Sequence, residues 1–310
     1  MPGELSPMKR QIADILDPGK TLTSSKMVSL SNLNTEEIEF LTKKWPDTDL
    51  QHRREIISQL AHLSEVDLKL NFSAVFILSL SDTDEEIRTQ AAVGLEAEDN
   101  YLLLNPLLKA LKVDTSVKVK SAVAVTLGKF ALQGELGNIP SHYSEKVYRA
   151  LLEVLNKTGE PIDVKRRALE AISPFSRTEV KDLIEAAYNT DDIKLKASAV
   201  FAMGRNCDLA WLPTLLIELN SDRAEMRYEA AGALGELGAE KAVPRLIDAV
   251  SDKDERIREA AIKALGEIGT ETAKQALNRL VKSSEPTIRD AAESALREIQ
   301  FCEDPLYSPP

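Results

Sequence analysis

The chain has 310 residues, with 39 basic and 50 acidic side chains and a formal net charge of −11. This acidic balance argues against general affinity for nucleic acid or for an anionic membrane surface, because both depend on Lys and Arg neutralising negative charge. Hydrophobic residues make up 43% of the chain, enough for a sizeable core, whereas 13 glycines and 14 prolines are too few for a protein built from many β-turns.

The N-terminal residues 1–32 are rich in Ser, Thr and Pro and are expected to be flexible. They contain the signals of one short helix, with Ser6 as the cap, Pro7 in the first turn and Pro18-Gly19 as the stop. The alternative is that this segment docks on the folded part of the chain. Asn34 and Glu37 then form a capping-box pattern at the start of the next helix.

The sequence indicates a cytoplasmic protein. The first thirty residues lack the apolar core of a signal peptide. The longest uncharged stretch, residues 70–81, is 12 residues long, whereas a spanning helix needs about 20. Cys207 and Cys302 are too few for a disulfide framework, which favours a reducing compartment.

A repeat of 31 residues dominates the second half of the chain. Residues 223–238 and 254–269 share a basic residue, small residues three and six positions later, and then Leu-Gly. We call the basic residue the anchor of its repeat. Five anchors follow one another at this interval: Lys165, Lys196, Arg227, Arg258 and Arg289. Upstream the spacing is looser, and the anchors are Arg54, Arg88 and Lys120. The interval of 45 residues between Lys120 and Lys165 predicts an insertion loop at about 133–144, for a total of eight repeats.

Each repeat is predicted to be a helix A, a tight turn and a helix B. Proline stands fourteen residues before the anchor in three repeats, at Pro106, Pro213 and Pro244, and proline is tolerated in the first turn of a helix. One such pair cannot bury its apolar faces alone, so neighbouring pairs must stack. The sequence therefore predicts an all-α, right-handed α-α superhelix over residues 33–299 and a C-terminal tail at 300–310. Buried positions are expected at Ala230, Ala233, Leu234, Ala261, Ala264 and Leu265.

These features together resemble HEAT repeats: Asp in the A–B turn, Arg in helix B, Pro early in helix A, and the run A-x-x-A-L-G. The short unit is similar to the HEAT-like repeats of phycobilisome lyases. The resemblance covers about residues 34–299 and is weaker in the first three repeats, where His62 and Glu96 stand in place of the glycine. It implies that the turn Asp and the anchor form a ladder of ion pairs between repeats. It also implies that the B helices line a concave surface.

No catalytic or metal-binding motif is recognisable, so the chain is expected to be neither an enzyme nor a metal or cofactor protein. None of the three histidines is followed by Glu, whereas the HEAT-like deoxyhypusine hydroxylases hold two irons with paired His-Glu motifs. No C-x-x-C zinc motif is present. Carboxylate pairs such as Asp82 and Asp84 suggest acid–base chemistry, but their place in A–B turns favours helix capping.

The B helices of repeats three to five are basic within this acidic chain. They carry ten basic and five acidic residues, which leaves −16 for the remainder. This asymmetry predicts that their concave surface binds an acidic or phosphorylated protein. The predicted contact residues are Lys129, Arg166, Arg167, Phe201, Arg205 and Tyr228. The alternative is that the basic side chains are separately solvated and that Phe201 packs inward.

The leading functional hypothesis is a monomeric, non-enzymatic scaffold that binds a protein partner and neither nucleic acid nor membrane. The alternative is a phycobilin lyase-like or chaperone-like protein that acts on a chromophore-bearing subunit. A HEAT-like DNA glycosylase is a third hypothesis, and the net charge of −11 disfavours it.

Overall fold

The computed structural model describes residues 5–67, 69–98 and 100–303. Over these ranges the chain forms eighteen α-helices and six short 3-10 helices, without a strand. The predicted all-α class and the arrangement in helix pairs are therefore confirmed. Contacts divide the chain into two compact units, residues 1–171 and residues 172–310.

The first unit contains two N-terminal helices and then four helix pairs, in which A and B helices alternate. The N-terminal helices are α1 (Pro7–Leu16) and α2 (Ser24–Met27). The A helices are α3 (Thr35–Lys44), α5 (Ser73–Ser79), α7 (Leu104–Val113) and α9 (Ser141–Asn156). The B helices are α4 (Leu50–Val66), α6 (Glu85–Gly94), α8 (Val117–Glu135) and α10 (Ile162–Ile172), the last residue of which opens the second unit. Four 3-10 turns lie at Val28–Leu30, Trp45–Asp47, Leu95–Ala97 and Tyr101–Leu103.

The second unit contains the other four helix pairs. Its A helices are α11 (Thr178–Tyr188), α13 (Leu212–Glu218), α15 (Val243–Ala249) and α17 (Glu271–Leu280). Its B helices are α12 (Ile193–Arg205), α14 (Ala224–Leu237), α16 (Glu255–Ile268) and α18 (Pro286–Glu303). Two 3-10 turns, Leu209–Trp211 and Glu240–Ala242, precede α13 and α15. All eight predicted anchors lie near the start of a B helix, so the predicted repeat frame is correct.

The glycine eight residues after the anchor lets neighbouring B helices approach closely. A Cβ atom placed on Gly204 would lie 2.5 Å from the Cα atom of Ala233, which is the alanine six residues after the next anchor. On Gly235 it would lie 2.7 Å from the Cα atom of Ala264. Real Cβ atoms do not approach backbone this closely, so only glycine fits these positions without a shift of the helices.

The core of the second unit consists of the apolar and alanine positions that the repeat predicts. The six positions named from the sequence in repeats six and seven are all buried, at 0–4% exposure. Alanine and glycine at these places keep adjacent B helices close, and longer aliphatic side chains fill the space toward the A helices. The burial prediction is confirmed.

The N-terminal segment forms a truncated helix pair on the first repeat. Helix α1 packs against α3, and α2 packs against α4. Ser6 caps α1 as predicted, by accepting a hydrogen bond from the backbone N–H of Lys9. Ile12 and Ile15 share one face of α1 and are buried, which favours ordered docking over the flexible segment that the composition suggests. For residues 5–32, the structure shows the docking that the sequence analysis gave as the alternative.

We expect Ile12→Asp to release α1 from the solenoid, because it places a charge at a fully buried position. Gln11→Asp, one residue earlier at an exposed position, is the matched control. Hydrogen exchange should increase in α1 and α3 of the first variant and stay unchanged in α16 of the second unit. Unchanged protection of α1 would show that its burial contributes nothing to docking.

The insertion after α8 is mostly helical. Helix α8 continues to Glu135 and α9 begins at Ser141, so the connection is residues 136–140 instead of the predicted 133–144. Val147 and Tyr148 of α9 are buried, which anchors this long helix against its neighbours. At the other end, α18 continues through residue 303 into the predicted tail, and residues 304–310 lie outside the described part.

Two observations bear on the predicted compartment. Among the described helices, none has both the length and the apolar character that crossing a bilayer requires. Cys207 and Cys302 are both exposed free thiols.

Candidate functional site

Apart from the buried Ile56, Ala197 and Ser198, the residues at four positions of the B helices lie on the side away from the core. They stand one, two, five and nine residues after the anchor, and a period of 3.6 residues puts them on one side of the helix. In α14 they are Tyr228, Glu229, Gly232 and Glu236, all exposed or half-buried. We call this set of positions the B face.

A ladder of ion pairs fixes the spacing of the B helices. Arg88 donates two hydrogen bonds to Asp114 of the next repeat, over 2.7 and 3.1 Å. Arg227 does the same to Asp252, over 2.7 and 3.0 Å. The other rungs are Arg54–Asp84, Lys120–Glu160, Lys196–Glu218 and Arg258–Glu285. Six of the eight anchors therefore have the structural role that the resemblance implies.

The rungs are stronger than ordinary surface pairs because the anchor is held from two sides. Arg227 also donates from Nη1 to the carbonyl oxygen of Ser221, six residues earlier in its own repeat, over 2.9 Å. Arg88 makes the same bond to the carbonyl oxygen of Asp82. Such a side chain is fixed between its own turn and the next one, which makes the display of B-face side chains rigid.

The ladder carboxylates make stability depend on acid pH. The hydrogen bond from Arg227 lowers the pKa of Asp252, and that from Arg54 lowers the pKa of Asp84. A carboxylate whose pKa is lower in the folded than in the unfolded chain stabilises the fold above its unfolded pKa of about 4 and loses this contribution as pH falls through the folded pKa. We expect Asp252→Asn to be less stable than wild type at pH 7, and the gap to shrink below about pH 4. Urea unfolding from pH 7 to pH 3 measures this, and a gap independent of pH would contradict the assignment.

Sequence reasoning missed a buried polar cluster between the first two repeats. The carboxylate of Asp82 accepts hydrogen bonds from Trp45 Nε1, over 2.8 Å, and from Arg53 Nη1, over 2.6 Å. Asp82 had been interpreted as a helix cap. The signal was present, since Asp82, Asp114 and Asp252 all stand six residues before an anchor and all pair with an arginine of the preceding repeat.

A second polar cluster, which the sequence analysis also missed, lies at the ladder position of repeat five. The Tyr188 hydroxyl donates to Glu218 over 2.5 Å, and Lys196 Nζ lies 4.5 Å from the centroid of the Tyr188 ring. Burial and the neighbouring Glu218 raise the pKa of Tyr188 to about 12. The phenol therefore stays a neutral donor at all ordinary pH values. Lys196 forms its ladder ion pair with Glu218 beside the Tyr188 ring.

The predicted contact residues divide evenly between the two units. In the first unit, Lys129 lies on the B face of α8 and donates to the carbonyl oxygen of Glu96 over 3.0 Å. Arg166 and Arg167 lie on the B face of α10, and Arg167 Nη1 is 2.6 Å from Glu170 Oε2. All three basic side chains are half-buried. All three therefore lie on the B face, and both Arg166 and Arg167 have carboxylate neighbours.

In the second unit, Phe201 and Arg205 lie on the B face of α12, and Tyr228 lies on that of α14. Arg205 Nε is 3.7 Å from Glu236 Oε2. Phe201 is half-buried, and Tyr228 is 45% exposed. An aromatic surface is thus present here, but its surroundings in repeats six to eight are acidic.

The histidine, cysteine and acidic side chains are the groups that could bind a metal ion or act in catalysis. Over residues 5–67, 69–98 and 100–303, His, Cys, Asp and Glu side chains form no group of three or more that suits a metal ion. Burial and the neighbouring Glu236 raise the pKa of the Cys207 thiol, while Arg205 lowers it. Because the net shift is upward, Cys207 is mostly protonated at neutral pH.

Known proteins share the repeat and the fold of this chain. Residues 212–297 match the family described as HEAT repeats. None of the curated proteins matches this sequence. The chain is similar in structure to the complex of CpcE and CpcF of phycocyanin lyase from Nostoc sp. PCC7120, with a TM-score of 0.59 and 18% identity over 89% of this chain and 97% of that chain. It is also similar to yeast importin-beta, with a TM-score of 0.53 and 12% identity over 96% of this chain, and it spans about half (47%) of that longer chain.

These findings confirm the resemblance to HEAT-like repeats in both repeat and fold. They also contradict the prediction that the chain is not an enzyme, because an enzyme, phycocyanin lyase, has a similar solenoid. The prediction rested on missing catalytic motifs. Missing motifs do not exclude an activity, since the fold alone does not determine function and a site on it need not carry a short motif.

Proposed function

Because residues 212–297 match HEAT repeats and the fold is similar to that of known solenoids, we propose that this chain acts by binding a protein partner on its B face. The solenoid fold is compatible with that role. The observation that carries the proposal is the construction of the face: glycine–alanine contacts and the ion-pair ladder hold successive B helices at fixed spacing, while their outward positions differ from repeat to repeat. A preorganised surface of this kind loses little conformational entropy when a partner docks.

In the first unit, we propose that the B face of α8 and α10 contacts an acidic partner. Val125, five residues after the anchor, is 39% exposed and supplies an apolar contact. Lys129, Arg166 and Arg167 occupy B-face positions of the same and the next repeat. An apolar centre with a charged rim is the usual construction of a protein interface, and the charge favours a partner with carboxylates or phosphates.

Photocrosslinking tests this surface directly. A photoreactive amino acid at Val125 should crosslink one protein in cells of the source organism, and the same amino acid at Val113, the exposed last residue of the A helix α7, should not. Lys129→Glu with Arg167→Glu should abolish the Val125 adduct while leaving the helical circular dichroism and the melting midpoint nearly unchanged. Equal crosslinking from both positions would refute the site.

A second candidate function is a lyase-like or chaperone-like role on a chromophore-bearing protein. The similarity to phycocyanin lyase over 89% of this chain favours it. In the test, the purified chain is incubated with bilin and an apo-phycocyanin subunit. A coloured adduct that survives a denaturing gel and requires the chain would support this role, whereas adduct formation at the same rate without the chain would refute it.

A further inference from the structure

The B face of the second unit has a gap at Gly232. This glycine is five residues after the anchor, where repeat five has Phe201 and repeat seven has Lys263. A Cβ atom placed on Gly232 would meet no other atom within 4 Å, so the space above it is open. Gly232 therefore has no packing role, unlike Gly235 three residues later in the same helix.

Aromatic residues stand at neighbouring B-face positions. Helix α14 packs between α12 and α16, so Phe201 of α12 stands at the corresponding position on one side of Gly232. Tyr228 lies one turn before Gly232 on α14 itself and is 45% exposed. Arg256 interacts electrostatically with Tyr228 but is paired with Asp254 over 2.9 Å. Tyr228 is therefore an exposed aromatic side chain on this face, and Phe201 is a half-buried one.

Carboxylates outnumber basic groups at the B-face positions of the second unit. Over the B-face positions of repeats six to eight the acidic residues are Glu229, Glu236, Glu259, Glu267, Asp290 and Glu298, and the basic residue is Lys263. Arg205 lies 3.7 Å from Glu236, and Lys263 lies 3.4 Å from Glu267. Burial raises the pKa of Glu236; Arg205 opposes this shift, and Glu267 adds to it. The B-face positions of repeats six to eight therefore carry a net negative charge.

We propose that an arginine-rich segment of a protein binds this surface. The surface consists of Phe201, Tyr228, the open space at Gly232 and the carboxylates of the same B face. A guanidinium group stacks on an exposed aromatic ring and at the same time pairs with carboxylates, and the missing side chain at Gly232 leaves room for its aliphatic stem. The surface lies wholly in the second unit and is separate from the α8 and α10 face proposed for the acidic partner. Either proposal can fail without the other.

Fluorescence anisotropy of labelled peptides tests this inference on the full chain. Nona-arginine should bind, nona-lysine should bind more weakly, and nona-glutamate should not bind. Tyr228→Ala, which changes no charge, should weaken nona-arginine binding roughly fivefold or more. Gly232→Leu should weaken it similarly, by filling the gap. Circular dichroism melts verify that both variants remain folded.

A matched pair of charge changes separates this site from diffuse attraction to an acidic protein. Glu259→Gln removes one carboxylate from the B face, and Asp248→Asn removes one from the exposed side of the A helix α15. Only the first should weaken nona-arginine binding beyond twofold at 150 mM salt. Equal effects of the two variants, unchanged affinity in Tyr228→Ala, or equal binding of nona-glutamate would each overturn the proposal.

Discussion

Gly235→Ala is expected to destabilise the second unit, whereas Gly232→Ala in the same helix is expected to stabilise it slightly. The new methyl group at position 235 would lie 2.7 Å from the Cα atom of Ala264, so α14 and α16 must move apart. Overpacking of this kind costs about 1–3 kcal/mol. At position 232 the methyl group meets nothing within 4 Å, and alanine in a helix interior is favoured over glycine by up to about 1 kcal/mol.

Urea unfolding followed by circular dichroism at 222 nm measures both changes on equal terms. Gly204→Ala, whose methyl group would lie 2.5 Å from the Cα atom of Ala233, should behave like Gly235→Ala. Hydrogen exchange should increase in the helices that flank the altered glycine. If all three variants were more stable than wild type, helix propensity would dominate and the close-packing role of the repeat glycine would be wrong.

The sequence predicted the repeat frame because that information is local. An anchor, two alanines and a glycine at fixed spacing define one B helix, and the interval of 31 residues places the next. The buried positions follow from helical periodicity alone, which explains why Ala230 and Leu265 were correctly assigned to the core. Even the loosely spaced anchors Arg54 and Arg88 lie in the predicted helices.

Features that depend on contacts between residues far apart in the sequence were harder to predict from the sequence. The docking of α1 needs the surface of α3, and the helical course of residues 133–135 needs the neighbouring α9. Likewise, Asp82 looks like a cap until Trp45 and Arg53 are placed beside it. Local composition describes none of these partners, and tertiary packing overrides it.

Charge counts along the sequence were a partial guide to the candidate site. They identified basic B helices correctly, but Arg167 and Arg205 have carboxylate neighbours, one of which comes from the following repeat. The counts also did not separate the outward positions from the rest, so the acidic B face around Tyr228 was missed. On a solenoid, function depends on these outward-facing residues. What each of them can bind depends on the residues beside it in the neighbouring repeats.

Arg227→Met is expected to cause a large loss of stability. The Arg227 side chain is 9% exposed and that of Asp252 13%, and the arginine makes two hydrogen bonds to the carboxylate besides those to its own turn. Removing one partner of such a pair leaves the other charge buried and unpaired, which costs about 3–5 kcal/mol. Arg256→Met is the matched control, because this arginine pairs with Asp254 while 73% of its side chain is exposed. Its urea midpoint should stay close to that of wild type.

A double-variant cycle separates the ion pair from the carbonyl bonds of the same arginine. If the pair carries most of the effect, Arg227→Met combined with Asp252→Asn should lose clearly less stability than the sum of the two single losses, because no charge remains unpaired in the double variant. Additive losses would instead assign the stabilisation to the bond from Arg227 Nη1 to the carbonyl oxygen of Ser221. In that case the ladder would hold each arginine in its own turn without joining neighbouring repeats, and the rigidity of the B face would rest on the glycine–alanine contacts alone.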